Sequence, residues 1–291
     1  MPLPVSVLSY NVRYDNPEEN THPWRTRRDR VASVIRFHDP DVVGLQEALH
    51  GQLEDLRDRL PEYEWLATGR EEPECAGEYV AIGYKRDRFN LEAEGTVWLS
   101  ETPEVEASVG WDAQLPRLVH YVRLREEATD VEFYLFDTHF DHYGETARLE
   151  SAKLLLDLID ELAANEPVVV TGDFNCLAGS PPYEHLTSRE KRSAGRTLRD
   201  THQIARRGHH GPTTTVTDFQ NLVPERKIDH VFVTSDVEPV QHGVCADCFD
   251  SGVYPSDHLP ILVDLMLPEN APNPAEQNAV EGAGAHESPS E

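Results

Sequence analysis

The chain has 291 residues, 38% of them hydrophobic, and carries a formal charge of −27 from 53 acidic against 26 basic side chains. Apolar runs such as VVVTG, YLFDTHF, HVFVTS and LPILVDLML recur along it, which excludes a disordered chain and suits one large domain. No stretch reaches the length of a membrane span, and MPLPVSVLSYNVRYD lacks the basic start and apolar core of a signal peptide; a cytoplasmic monomer is expected.

In chain order, VSVLSYNVR reads as an opening strand, and RTRRDRVASVIRFH follows with Val31, Val34 and Ile35 at helical spacing. DVVGLQEA returns to strand, and HGQLEDLRDRL sets Leu53, Leu56 and Leu60 on one helical face. YVAIGYKRDRF, GTVWLS, LVHYVRLRE and EFYLFDTHF are strands with no helical pattern between them. The longest helix is GETARLESAKLLLDLIDELAAN, with a stripe through Leu155, Leu158, Ile159 and Leu162. PVVVTGDFN is a core strand that ends in an acid and an amide. Asp173 and Asn175, two apart on an extended chain, would aim at one point. Short helices are expected near 181–186 and 198–208, and KIDHVFVTS and LPILVDLML complete the strands. Strand runs between helices, without strict βαβ alternation, give an α+β reading: two packed sheets with helices outside them. The single domain is expected over 1–267, followed by an acidic, disordered tail over 268–291.

Cys75, Cys176, Cys245 and Cys248 are the cysteines. The last two form one CxxC with no second ligand pair at a suitable spacing, so reduced thiols are expected rather than a zinc site. The acidity fits adaptation to concentrated salt, where a Debye length of about 3 Å screens surface carboxylates from one another; a halophilic, haloarchaeal source is expected. The same screening means that acidity does not exclude a polyanionic substrate.

Polar residues recur at strand ends: Asn11 in SYNVR, Glu47 in GLQEA, His139 and Asp141 in DTHFDH, Asp173 and Asn175 in GDFN, Asp229 in KIDH, and Asp257 with His258 in SDHLP. Singly, each is more simply a cap, turn or structural residue. Together, the carboxylates and amides suit a hard cation, and the two histidines with acids beside them suit an anionic centre, as phosphoester hydrolysis requires.

SYNVR, GLQEA, GEY, THFDH, GDFN, KIDHVFV and SDHLP, in this order over residues 5–267, resemble the endonuclease/exonuclease/phosphatase superfamily, nearest to bacterial and archaeal members of unsettled substrate. The resemblance implies a deoxyribonuclease-I-like four-layer α/β/β/α sandwich with two mixed β-sheets, and cleavage of a phosphoester by water with Mg2+ or Mn2+. It implies Glu47 as principal metal ligand with Asn11 beside it and Asp257 as a further metal-side acid. By the same resemblance, Asp173 orients or deprotonates the water and Asn175 binds the phosphate. His258 contacts the phosphate with Asp229 holding its ring, and His139 serves the leaving oxygen with Glu78 as a paired acid. Asp141 and His142 are as readily structural as catalytic. Histidine at 139 is similar to the deoxyribonuclease, deadenylase and sphingomyelinase branches, since the abasic-site endonucleases carry tyrosine there.

The leading expectation is a phosphodiesterase or nuclease, with Arg13, Trp24, Arg25, Trp111 and Arg117 as candidates to track nucleic acid. The alternative enzyme is a phosphomonoesterase for a small metabolite or sugar. A catalytically dead binding module is disfavoured because every one of these polar groups is present, and no GxSxG elbow supports a seryl hydrolase.

Overall fold

The computed structural model describes residues 2–18, 21–71, 76–192, 194–249 and 252–269. Cys75 and all but the first two residues of the expected tail lie outside them. Strand β1 (Leu3–Asn11) leads through helix α1 (Trp24–His38) to β2 (Val42–Ala48), and α2 (His50–Arg59) precedes the antiparallel pair β3 (Tyr63–Glu71) and β4 (Ala76–Lys85). Next come β5 (Phe89–Trp98), β6 (Leu118–Glu126) and β7 (Glu132–His139), then α3 (Glu145–Leu162) and β8 (Val168–Asp173). The remainder comprises α4 (Pro181–Thr187), β9 (Arg199–Asp200), α5 (Thr201–Ile204), β10 (His209–His210), β11 (Asp229–Val233), β12 (Glu238–Val244) and β13 (Ile261–Leu267).

These strands form a seven-stranded sheet, ordered β10-β12-β13-β1-β2-β4-β3, and a six-stranded sheet, ordered β5-β6-β7-β8-β11-β9. Each sheet contains a central parallel pair, β1 with β2 and β7 with β8, joined by the helix that crosses over it. Most other neighbours are antiparallel, so both sheets are mixed. Between the sheets, Val5, Val7, Ile82, Leu124, Phe133, Leu135 and Val231 share one core cluster. The outer face of the first sheet packs Leu8, Val43 and Leu45 against Val31, Ile35, Leu53 and Leu56 of α1 and α2. That of the second packs Val119, Phe136 and Val170 against Leu155, Leu156 and Ile159 of α3. The expected four-layer α/β/β/α sandwich is borne out. Among the described residues, no helix is long and apolar enough to cross a membrane.

Besides β9 and β10, which are two residues each and of which β9 lies inside the helix expected over 198–208, two strands carried no clear pattern. In YEWLATGRE (β3) the exposed outer edge of the sheet demands apolar side chains at few positions, and only Tyr63, Trp65 and Gly69 are buried. In EPVQHGV (β12) a register shift between Pro239 and Gln241 breaks the alternation.

Candidate active site

Every parallel pair leaves its carboxyl ends at one edge of the sandwich, the usual position for a ligand in such sheets. Asn11 closes β1 and pairs with Gln46, next to Glu47 on β2. His139 closes β7 and is the register partner of Asp173, which closes β8. Because β11 runs antiparallel to β8, its first residue, Asp229, is the partner of Asp173 on the other side. His258 and Asp257 arrive on the loop before β13, where Ser256 Oγ donates to the Asn11 carbonyl at 2.8 Å.

Asp173 is the hub. Its Oδ2 accepts from Asn11 Nδ2 at 3.1 Å and lies 3.5 Å from His139 Nε2 and 3.8 Å from His258 Nε2. Its Oδ1 accepts from the Asn175 backbone N–H at 2.9 Å. That turn differs from the expected geometry: the strand stops at Asp173, and Asn175 is left-handed with φ 47° rather than extended. Its side chain donates to the Phe140 carbonyl at 3.1 Å, yet it still lines the same cavity as Asp173. Asp229 grips His258 Nδ1 through both carboxylate oxygens, at 3.1 and 2.9 Å.

Glu47 also sits in the left-handed region, at φ 67°, where a side chain other than glycine is strained. It is held there by the Tyr14 amide, donating to Oε2 at 3.2 Å, and by Asn11 Nδ2, donating to Oε1 at 3.0 Å. Asn11 thus bridges two carboxylates as a donor, while its Oδ1 accepts from the Arg13 amide at 3.0 Å. Ligation of a cation through Asn11 Oδ1 would require the side-chain amide to turn over. Glu78 lies across from Glu47, and its Oε2 accepts from Arg70 Nη1 at 2.7 Å and is 3.9 Å from His139 Nδ1. Arg13 Nε is 3.5 Å from Asp257.

The electrostatics are those of crowded acids. Burial, and then the Asp229 carboxylate, push Asp173 up to about 7; burial, and then Glu47, push Glu78 up to about 7. Asp257 is raised by burial, with Glu47 adding to the effect. Burial lowers His139, and the guanidinium groups of Arg117 and Arg70 lower it further, so its ring is neutral. Burial works against the His258 cation, but Asp229 outweighs it and holds the ring as imidazolium. Ligand atoms of Glu47, Glu78 and His139 lie within 4.8 Å of one another, as do those of Asp173, Asp229 and His258. Carboxyls raised by burial and by neighbouring carboxylates are what a divalent cation relieves, so the oxygen-rich set around Glu47 fits Mg2+ or Mn2+.

These groups line one cleft of about 610 Å³ that includes Glu47, Glu78, His139, Asp173, Asp257 and His258. Arg70, Tyr14 and Arg226 also line it and were not singled out from the sequence, although Tyr14 directly follows SYNVR, Arg226 directly precedes KIDHVFV, and Arg70 stands eight residues before Glu78. Arg70 and Arg117 are nearly enclosed, with side chains 11% and 5% exposed, and their Nε–H groups lack hydrogen-bond partners among the described residues. Of the candidates for tracking nucleic acid, Arg13 and Arg117 reach the cleft. Trp24 instead packs in the α1 core, its Nε1 donating to Asp55 at 2.9 Å, and neither Arg25 nor Trp111 lines the cleft. Asp141 takes a structural role: it accepts from the amides of Tyr143 and Gly144 at 2.9 and 2.7 Å and shapes the turn into α3. His142 lines the cleft against Arg117 Nη2 at 3.1 Å.

A model of the Endonuclease/Exonuclease/phosphatase family matches residues 8–258. The chain belongs to this family. Endonuclease/exonuclease/phosphatase proteins are phosphoester hydrolases, nucleases among them, and generally use divalent metals. The crystal structure of a family member from Bacteroides vulgatus is 36% identical, with a TM-score of 0.85 over 91% of this chain and 100% of that one. The mannosyl-6-phosphatase of Bacteroides thetaiotaomicron is 34% identical, with a TM-score of 0.81 over 90% of this chain and 99% of that one. Nocturnin of Drosophila melanogaster is 25% identical over 91% of this chain, but the match spans only 45% of that protein.

Proposed function

We propose that this protein is a Mg2+- or Mn2+-dependent phosphoester hydrolase whose substrate is a phosphomonoester of a small polar molecule, a sugar phosphate above all. The observation that carries the hydrolytic reading is the position of Asp173 Oδ2 between Asn11, His139 and His258. When bound, the cation polarises the phosphoryl group and offsets its charge. Asp173, raised to about 7, is matched to accepting a proton from water near neutrality. The His258 imidazolium, oriented by Asp229, and the Asn175 amide donate to phosphoryl oxygens as negative charge grows on them. Neutral His139 serves the leaving oxygen by hydrogen bonding rather than as a cation. Glu47 and Asp257 would supply the carboxylates that hold the cation, with Asn11 fixing Glu47 against Asp173.

Two features support a monoester. A terminal phosphate carries nearly two negative charges at neutral pH, and the guanidinium groups of Arg70 and Arg117 place positive charge in the lining of the cleft. Among the described residues, the cleft's one aromatic residue other than histidine is Tyr14, which is a poor platform for stacking successive bases. The sugar phosphate handled by the Bacteroides mannosyl-6-phosphatase supports the same choice. A second reading, a phosphodiesterase or nuclease, is favoured by one observation. A neighbouring cavity of about 450 Å³ shares Asn175 with the cleft and is lined by Leu177, Pro181 and Pro182, giving room for a group on the far side of the phosphorus.

The test is a panel at high KCl: mannose 6-phosphate and other sugar phosphates, single- and double-stranded DNA, RNA and bis-p-nitrophenyl phosphate. Inorganic phosphate released from the sugar phosphates, with oligonucleotides left intact, is the expected result; shortened oligonucleotides would move the assignment to the diester. Asp173→Asn should lower turnover by a factor of about 100 to 10,000 without altering the circular dichroism spectrum. EDTA should abolish activity and Mg2+ or Mn2+ restore it, and an enzyme indifferent to chelation would contradict the metal-dependent reading.

A further inference from the structure

At the C-terminal end of α1 lies a cluster of a different chemical character. His38, in the last turn of α1, faces the loop that follows β12, where Cys245 is the first residue and Asp247 the third. His38 Nε2 lies 2.9 Å from Asp247 Oδ2. A ring nitrogen of His38, the Cys245 sulfur and an Asp247 carboxylate oxygen all fall within 4.8 Å of one another. The three line a cavity of about 440 Å³ to which His210 and Asp264 also contribute. The Cys245 end is anchored, since its amide donates to the Pro260 carbonyl at 2.9 Å.

We propose that His38, Cys245 and Asp247 bind a Zn2+ ion in a second metal site that clamps the end of α1 to the loop after β12. The donor set decides the metal. One sulfur, one imidazole nitrogen and one carboxylate suit a borderline-soft cation, whereas the oxygen-rich set around Glu47 suits a hard one. Zinc holds such donors at about 2.0–2.3 Å, which sets tetrahedral donors roughly 3.3–3.8 Å apart. The distances to the Cys245 sulfur therefore contract by about 1.5 Å at most, and the 2.9 Å His38–Asp247 pair opens slightly. Zinc binds cysteine as its thiolate, so the Cys245 proton leaves as the ion enters. The expectation of ordinary thiols in this CxxC rested on the lack of a second ligand pair in sequence; α1 brings His38 from more than 200 positions away in the hydrogen bond to Asp247.

Cobalt distinguishes this site from the catalytic one, because a thiolate bound to Co2+ gives a near-ultraviolet charge-transfer band and no cysteine lines the cleft among the described residues. Full-length protein stripped with chelator and titrated with Co2+ should develop that band at one equivalent per chain, and Zn2+ should bleach it. Glu47→Gln should keep the band. Cys245→Ser should lose it, and His38→Gln should weaken Zn2+ by at least the roughly 10–100-fold that losing an outer-shell partner costs. Zn2+ should also raise the thermal midpoint of the wild type and not that of Cys245→Ser. The proposal is overturned by absence of the band in folded wild-type protein, by its persistence in Cys245→Ser, or by Zn2+ affinity unchanged in His38→Gln. The His38–Asp247 contact would then be a simple ion pair.

Discussion

Asp173 and His258 are assigned complementary protonation states by their neighbours. A carboxylate raised to about 7 faces an imidazole held protonated by Asp229, so the cleft offers a base and a donor side by side, 3.8 Å apart. Asp229→Asn removes the charge that keeps His258 protonated while preserving the shape of the contact. It should lower kcat by about 100-fold or more, with a smaller change in KM and an unchanged circular dichroism spectrum. A variant with full turnover would show that His258 needs no orienter. The backbone contributes as well, because Arg13, Glu47 and Asn175 all adopt positive φ at the rim of the cleft. Glu47 was legible from GLQEA as an acid at a strand end. Its strain was not, since it sits at a register shift between β2 and β4 and is held by Asn11 at the end of β1 and by the Tyr14 amide in the loop that follows. Arg70 shows the opposite limit: a single arginine in an edge strand has no local pattern, and only folding sets it against Glu78.

At the level of elements, the cleft is supported from below by a close approach of the two sheets. Gly44 on β2 faces Asp137 on β7 and Thr171 on β8, and a Cβ at Gly44 would fall on the Thr171 hydroxyl and 2.6 Å from Asp137 Oδ1. The Asp137 oxygen meanwhile accepts from Gln46 Nε2 and Thr171 Oγ1, both at 2.7 Å, tying the sheet that carries Glu47 to the one that carries His139 and Asp173. Gly44→Ala should therefore cost about 1–3 kcal/mol in urea unfolding and lower activity through the displaced strand ends; an unaffected midpoint would mean the sheets can part freely. A second polar cluster fixes β9 and β11. Burial alone would raise Asp200, but hydrogen bonding with His230 and the Lys227 ammonium outweigh it and hold the carboxyl well below its usual range. A depressed carboxyl stabilises the fold above the unfolded-state value of about 4, and that contribution disappears as pH falls below it. Asp200→Asn should lose on the order of 3 kcal/mol at pH 7 by leaving Lys227 buried without its acid. The gap to wild type should close on acidification, and a gap that is constant from pH 7 to 3 would contradict the linkage.

For the whole molecule, the net charge of −27 means that dilute buffer leaves a large self-repulsion unscreened. Many arginines already lie against acids, as Arg88 does with Asp41, Arg59 with Asp55 and Arg196 with Asp236. The excess acids remain, and raising KCl from 0.1 to 2 M should lift the thermal midpoint by about 5 °C or more. A lower midpoint in salt would show that these ion pairs outweigh the repulsion. The sequence by itself determined the layers, because the period of the apolar residues states which face each strand and helix must bury, and it marked the polar residues that interrupt that pattern at strand ends. Only the tertiary structure decided which of those ends meet. The pairing of β7 with β8 and of β8 with β11 brings His139, Asp173 and Asp229 side by side, and α1 carries His38 to Cys245, through contacts between segments far apart in the chain. Local periodicity cannot encode such contacts, since the energy that forms them belongs to the shared core.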